Sequence, residues 1–251
     1  ESGGTTFPVI WVANSGEDTL SKLDTRTGKE LARYKVGPDA SWQNPSRTAV
    51  DLQGNVWVGN RGTGTVVKVL TDGGVDRNGN GTIETSEDTN ANGVIDPDEI
   101  LPWWEDERVA LNINVGGGGS GPRGMAVDAG NDLWVGLYAE NRYLKLDGET
   151  GAELLSLDIP GSPYGAAIDR NGYLWSSNRP QGMVTKIDTN AGTVVGNYWI
   201  DGCKSIYGIA VDNAGSVWLG NAYCHDLVEL DAATGATIAH YSDPAANTTR
   251  R

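Results

Sequence analysis

Residues 48–60 read "TAVDLQGNVWVGN", and the same phrase returns as "MAVDAGNDLWVGL" at 125–137, "AAIDRNGYLWSSN" at 166–178 and "IAVDNAGSVWLGN" at 209–221. Each copy carries an Asp, a turn of polar residues and Gly, and then a Trp six positions after the Asp. Two alternating runs joined by a turn follow each copy or precede the next: "LSKLDTRTGKELARYKV", "YLKLDGETGAELLSLDI", "VTKIDTNAGTVVGNYWI" and "LVELDAATGATIAHYSD". Alternation at a period of two, broken by Gly and Asn-Ala-Gly, reads as β-strands and hairpins rather than helices. One unit is therefore four short antiparallel strands.

The spacing of the units decides the architecture. Trp134, Trp175 and Trp218 stand 41 and 43 residues apart, the repeat length of a four-stranded propeller blade. Between Trp57 and Trp134 the gap is 77, an excess of about 35 residues that marks an insertion. Sheets of this period arrange radially around a channel and so protect their edges. The expected fold is an all-β propeller, residues 1–251 forming one domain. Five blades are visible, headed by Trp11, Trp57, Trp134, Trp175 and Trp218, and the second carries an insert over 74–107. The first blade begins at its second strand. Its innermost strand is expected from the C-terminal "NTTRR" or from chain beyond residue 251.

The insert contains "DRNGNGTIETSEDTNANGVIDPDE" at 76–99. Asp76, Asn78, Asn80, Thr82, Glu84 and Glu87 fall at positions 1, 3, 5, 7, 9 and 12 of a twelve-residue loop with Gly81 at position 6. Asp88, Asn90, Asn92, Val94, Asp96 and Glu99 repeat the pattern around Gly93. Calcium takes about six to eight oxygens, and this spacing wraps side-chain oxygens, one backbone carbonyl and a two-oxygen carboxylate around a point. The stretch resembles the calcium loop of EF-hand and dockerin-type proteins, which implies two bound calcium ions. No helix separates the loops, so a calcium-rigidified structural insert is expected rather than a sensor. Trp103 and Trp104 follow the second loop, either anchoring the insert to the propeller or forming a sugar-stacking pair.

Nine Trp, one Phe and 35 Gly in 251 residues fit a single large β domain, and the formal net charge is −14. Ten acidic residues lie between Asp76 and Glu107, so the insert holds much of that charge. An acidic surface argues against nucleic acid, and no apolar run reaches the roughly 18 residues of a membrane span. "VGGGGSG" at 115–121 lacks the Lys-Ser/Thr of a phosphate loop, and no Gly-x-Ser-x-Gly elbow appears.

Outside the insert the repeats resemble the virginiamycin B lyase-like and NHL-repeat propellers over nearly the whole chain. That lyase family holds a magnesium with Glu and His. Here the histidines are His225 and His240, neither in a Glu-x-His pair, so the resemblance does not carry the lyase chemistry across. Strand direction gathers Trp42, Arg47, Arg123, Tyr164, Tyr207 and His225 at one rim of the channel. These side chains suit a polar ligand such as a sugar or a small acid. Asn14, Asn60, Asn178 and Asn221 reach the same rim, where they read more simply as turn caps. The insert is expected on the opposite face. Together these features describe an extracellular, cell-surface or periplasmic calcium-binding propeller, acting as a binding or structural module for a protein or carbohydrate partner or as part of a larger assembly. The alternative is a metal-assisted lyase or lactonase at the channel mouth.

Cys203 and Cys224 are the two cysteines. If Val211 faces Val217 across the last Asp–Trp hairpin, facing residue numbers total about 428. The two cysteines total 427, which places them opposite each other within reach of a disulfide. Such a bond closes a loop of roughly 20 residues and adds about 3 kcal/mol in the chain-entropy model. Thiol titration of unfolded, unreduced protein should find no free thiol. Two free thiols would remove both the bond and its argument for an oxidising compartment.

Overall fold

In the computed structural model, residues 8–116, 119, 121–202, 205–222 and 226–242 are described. They fall into two compact units divided between Gly121 and Pro122. Cys203, Cys224 and His225 lie outside the described residues.

The first unit holds two sheets. Strands β1 (Val9–Asn14), β2 (Thr19–Asp24) and β3 (Glu30–Lys35) form a three-stranded antiparallel sheet. Beside them, β4 (Pro45–Val50), β5 (Val56–Asn60), β6 (Thr65–Val69) and β7 (Val109–Asn114) form a four-stranded one. The second unit repeats the four-stranded sheet three times. Its strands are β8 (Pro122–Val127), β9 (Leu133–Leu137), β10 (Arg142–Leu146) and β11 (Glu153–Asp158); β12 (Pro163–Ile168), β13 (Tyr173–Asn178), β14 (Met183–Asp188) and β15 (Thr193–Trp199); and β16 (Ile206–Val211), β17 (Ser216–Asn221), β18 (Asp226–Asp231) and β19 (Thr237–Ser242). Val211 faces Val217, the register taken from the sequence.

The Asp–Trp step has a direct physical basis. Asp169 accepts hydrogen bonds from the backbone of Asn171 and Tyr173, at 2.9 and 3.1 Å, and from the Trp175 indole at 2.9 Å. Asp128 does the same for Gly130, Asp132 and Trp134, and Asp212 for Ala214, Ser216 and Trp218. One carboxylate thus satisfies a tight turn and a core indole together, which is why the two residues keep a fixed spacing. The second sheet departs from this. Asp51 bonds Gln53, Asn55 and the Lys68 ammonium instead, leaving the Trp57 indole nitrogen without a partner.

Lysines on the strand that follows each Trp strand lie over the Trp rings: Lys22 over Trp11, Lys68 over Trp57, Lys145 over Trp134 and Lys186 over Trp175, at 5.5, 5.3, 5.8 and 4.8 Å. Two of them tie neighbouring sheets, Lys22 donating to the Thr71 carbonyl and Lys186 to that of Ala232. Between third and fourth strands, Gly28, Gly151, Gly192 and Gly235 sit at φ 68–74°, the left-handed turn conformation glycine permits. In the second sheet residues 70–108 replace that turn.

Removing the Asp128 carboxylate by Asp128→Ala strands two turn amides, an indole N–H and part of the Lys145 charge, which should cost roughly 3 kcal/mol at pH 7. Burial pushes the Asp128 carboxyl up, but Lys145, the Trp134 indole and the Asp132 amide outweigh it and hold it below its ordinary value. A depressed folded value gives stability that is full above the unfolded value near pH ~4 and lost as pH falls through the folded one. Urea melts should therefore show the wild-type advantage shrinking below pH ~4. Equal stability of the two proteins at pH 7 would contradict the role.

Candidate functional site

The insert leaves the end of β6 and returns at the start of β7. Arg47 lies near the start of β4, at the other end of the same sheet. Within the first unit the loops and that rim position are therefore at opposite ends of the strands.

Both twelve-residue loops fold by the same local rule. In the first, Asp76 Oδ1 accepts from the amides of Gly79 and Asn80 and Oδ2 from Gly81; Asn78 Oδ1 accepts from Asn80, and Asn80 Oδ1 from Thr82. In the second, Asp88 accepts from Asn92 and Gly93, Asn90 from Asn92, and Asn92 from Val94. These turns fix the side-chain oxygens of positions 1, 3 and 5; in the first loop Asp76 Oδ2, Asn78 Oδ1 and Asn80 Oδ1 each accept one amide and keep a second lone pair.

The closing carboxylates differ from the sequence pattern. Glu99 closes the second loop, its Oε1 accepting from the Thr89 and Asn90 amides and its Oε2 from the Asp96 amide, at 2.8, 3.1 and 3.0 Å. The Asp96 amide and the Thr89 hydroxyl hold its carboxyl at about 2. Equivalent bonds in the first loop come from Glu107, which accepts from the amides of Arg77 and Glu84 at 2.6 and 3.1 Å and is buried. Glu87 is exposed. Local spacing gave no signal for Glu107, which lies beyond both loops and reaches back along a short backbone pairing.

The donor chemistry suits a hard cation. Every side-chain donor at positions 1, 3, 5 and 9 is a carboxylate or an amide, with a backbone carbonyl at position 7, and none is a soft or imidazole ligand. Among the described residues no group of three or more Asp, Glu, His or Cys side chains stands together as a metal site. In both loops Asn side chains stand between the acids, bonding Glu84 and Asp96. The Asn80 and Asn78 amides also help draw the Glu84 carboxyl below its ordinary value.

Two anchors hold the insert. Asp106 is buried and accepts from the Ser86 amide and hydroxyl and the Arg108 amide. Trp103 packs against the core made by Trp11, Tyr34, Val69 and Val109. Trp104 instead remains 40% exposed.

In the second unit the structure brings three of the sequence-derived rim residues together. The Arg123 guanidinium lies 4.5 Å from the Tyr164 ring centre and donates to its hydroxyl at 3.0 Å. Tyr164 meets Tyr207 at 4.7 Å with the rings tilted by 55°, and meets Tyr138 edge-on at 5.8 Å. Arg179 sits 5.4 and 5.5 Å from the Tyr164 and Tyr207 rings and donates to Ser205. Arg179 and Tyr138 were not singled out by the sequence. The available signal was position, since both follow second strands, as the rim Asn residues do. Trp42, 69% exposed, and Arg47 belong to the first unit. Asn14, Asn60 and Asn178 are spent on Thr, Ser and backbone partners within their own unit, and Asn221 on Asp226.

No protein-family model and no characterised protein sequence matches the chain. Its fold is similar to that of solved β-propellers. A streptogramin B lyase structure aligns at TM-score 0.71 and 17% identity over 95% of this chain and 66% of the other. The virginiamycin B lyase of Staphylococcus aureus aligns at 0.70 and 14% over 95% and 68%. BamB from Moraxella catarrhalis aligns at 0.59 and 13% over 94% and 59%. The chain thus spans about two thirds of the lyase structures' own length. At these identities the likeness establishes an all-β propeller fold and carries no reaction with it.

Proposed function

We propose that the chain is a calcium-binding β-propeller working outside the cytoplasm as a binding module for a protein or carbohydrate partner, rather than as a catalyst. The observation that carries the metal reading is the matched pair of loops. Two successive segments repeat the same amide-to-carboxylate turns, and each is closed by a glutamate that bonds the amides of positions 2 and 9. In this reading Asp76, Asn78, Asn80, Glu84, the Thr82 carbonyl and Glu107 hold one ion. Asp88, Asn90, Asn92, Asp96, the Val94 carbonyl and Glu99 hold the other. Amides in place of acids at positions 3 and 5 lower the ligand charge, which suits extracellular calcium at millimolar-to-micromolar affinity. Bound calcium would stiffen the insert and offset part of its negative charge.

The binding reading is supported by the Arg123–Tyr164–Tyr207–Arg179 cluster, whose planar donors and phenol rings match a polar ligand. The neighbouring structures comprise lyases and BamB, so the fold itself hosts both catalysis and other roles.

Calorimetry with calcium should give two ions for the wild type and for Glu87→Gln. Glu99→Gln and Glu107→Gln should each weaken one site by an order of magnitude or more. No calcium uptake by the wild type would overturn the reading. Loss of a site in Glu87→Gln with none in Glu107→Gln would reassign the first loop's closing ligand.

A further inference from the structure

A second site lies on the insert itself. Between the first loop and the returning 101–107 segment is a cleft of about 400 Å³ lined by Arg77, Asn78, Glu84, Leu101, Trp104, Glu105 and Glu107, within the range of small-molecule sites. We propose that this cleft binds a neutral carbohydrate, with Trp104 as the stacking platform and Glu105 among its hydrogen-bonding groups. The proposal builds on the binding-module reading and commits it to a ligand class and a place.

Four observations favour this ligand. The indole is presented rather than buried: Trp104 is 40% exposed, while its neighbour Trp103 packs on the core. Its presentation is built into the backbone. Glu105 N donates to Pro102 O, closing a turn whose third residue, Trp104, has φ 71°. That position ordinarily takes glycine, so a bulky aromatic there is a costly choice for the fold alone. One face of the indole is braced by Arg77, whose guanidinium lies 4.5 Å from the ring and donates to the carbonyls of Asp106 and Val109. That fixes the platform before any ligand arrives and limits the ordering cost of binding.

The charges narrow the class further. The lining carries three carboxylates and one guanidinium, and that guanidinium is engaged by backbone carbonyls, which disfavours phosphate, sulfate or carboxylate ligands. A cationic peptide would compete with Arg77 for the Trp104 face. What remains is a ligand with an apolar C–H face for the indole and hydroxyls for a carboxylate side chain. A pyranose has both.

Glu84 and Glu107 belong to the first calcium loop in the reading above, so their substitution would confuse the two sites. The test therefore uses Trp104→Gly and Glu105→Gln. Glycine removes the platform while suiting the left-handed turn, so Trp104→Gly should be at least as stable as the wild type. Affinity is measured by calorimetry with calcium present, using cellohexaose, xylohexaose, chitohexaose, maltohexaose and a hexalysine peptide as probes. At least one oligosaccharide should bind, roughly tenfold or more weakly to Trp104→Gly and measurably more weakly to Glu105→Gln. Arg142→Ala, at an exposed ion pair outside both the cleft and the arginine–tyrosine cluster, should bind it unchanged. Three results would overturn the proposal: no oligosaccharide binding, binding that survives Trp104→Gly, or hexalysine binding that depends on Trp104. Binding lost in Arg123→Ala and kept in Trp104→Gly would leave the binding module standing and move its ligand to the arginine–tyrosine cluster.

Discussion

A carboxylate that accepts turn amides and an indole N–H fixes the geometry of each repeat in the second unit. Asp128, Asp169 and Asp212 each do this. The bond sets where the first strand ends, how tightly the chain reverses and where the Trp enters the sheet. Lysines on the third strands then lie over the Trp rings, and some reach a carbonyl of the next sheet. Register, core and sheet-to-sheet contact within a unit therefore trace to one acceptor. In the second sheet Asn55 and Lys68 take over the Asp51 carboxylate. The turn survives there without the indole bond, so the amide contacts are the essential part.

This dependence explains how much was legible in the sequence. The Asp-to-Trp spacing is a local hydrogen-bond requirement, so it stands in the chain as a fixed six-residue step and reveals strands, hairpins and repeat length. The turns of the two twelve-residue loops were legible for the same reason, because they join residues two to five apart. What was not legible is non-local. Glu107 bonds the amides of Arg77 and Glu84 only because the chain returns to β7 past the first loop, pairing Glu107 with Val75 and Glu84. Arg179 joins Arg123 and Tyr207 through strand ends more than 25 residues away in either direction. The sequence likewise offers Trp103 and Trp104 as a pair. Their rings stay in tilted contact at 5.5 Å, but Trp103 packs against the core while Trp104 remains 40% exposed.

The insert occupies the position of an ordinary four- to six-residue hairpin connection, at the opposite end of its sheet from Arg47. Its anchors are the Asp106 network and Trp103, both independent of the proposed metal ligands. The β6–β7 pairing on either side is made by residues outside the loops. Calcium would act on the insert alone, stiffening the loops that form one wall of the Trp104 cleft.

Hydrogen–deuterium exchange with and without calcium tests that account most directly. Amides of the insert exchange through local opening, and a ligand that binds only the ordered loop slows them. Calcium should slow exchange over residues 76–107 and leave the strands of both units unchanged. Unaltered exchange across the insert at saturating calcium, or protection spread evenly over all the sheets, would contradict it.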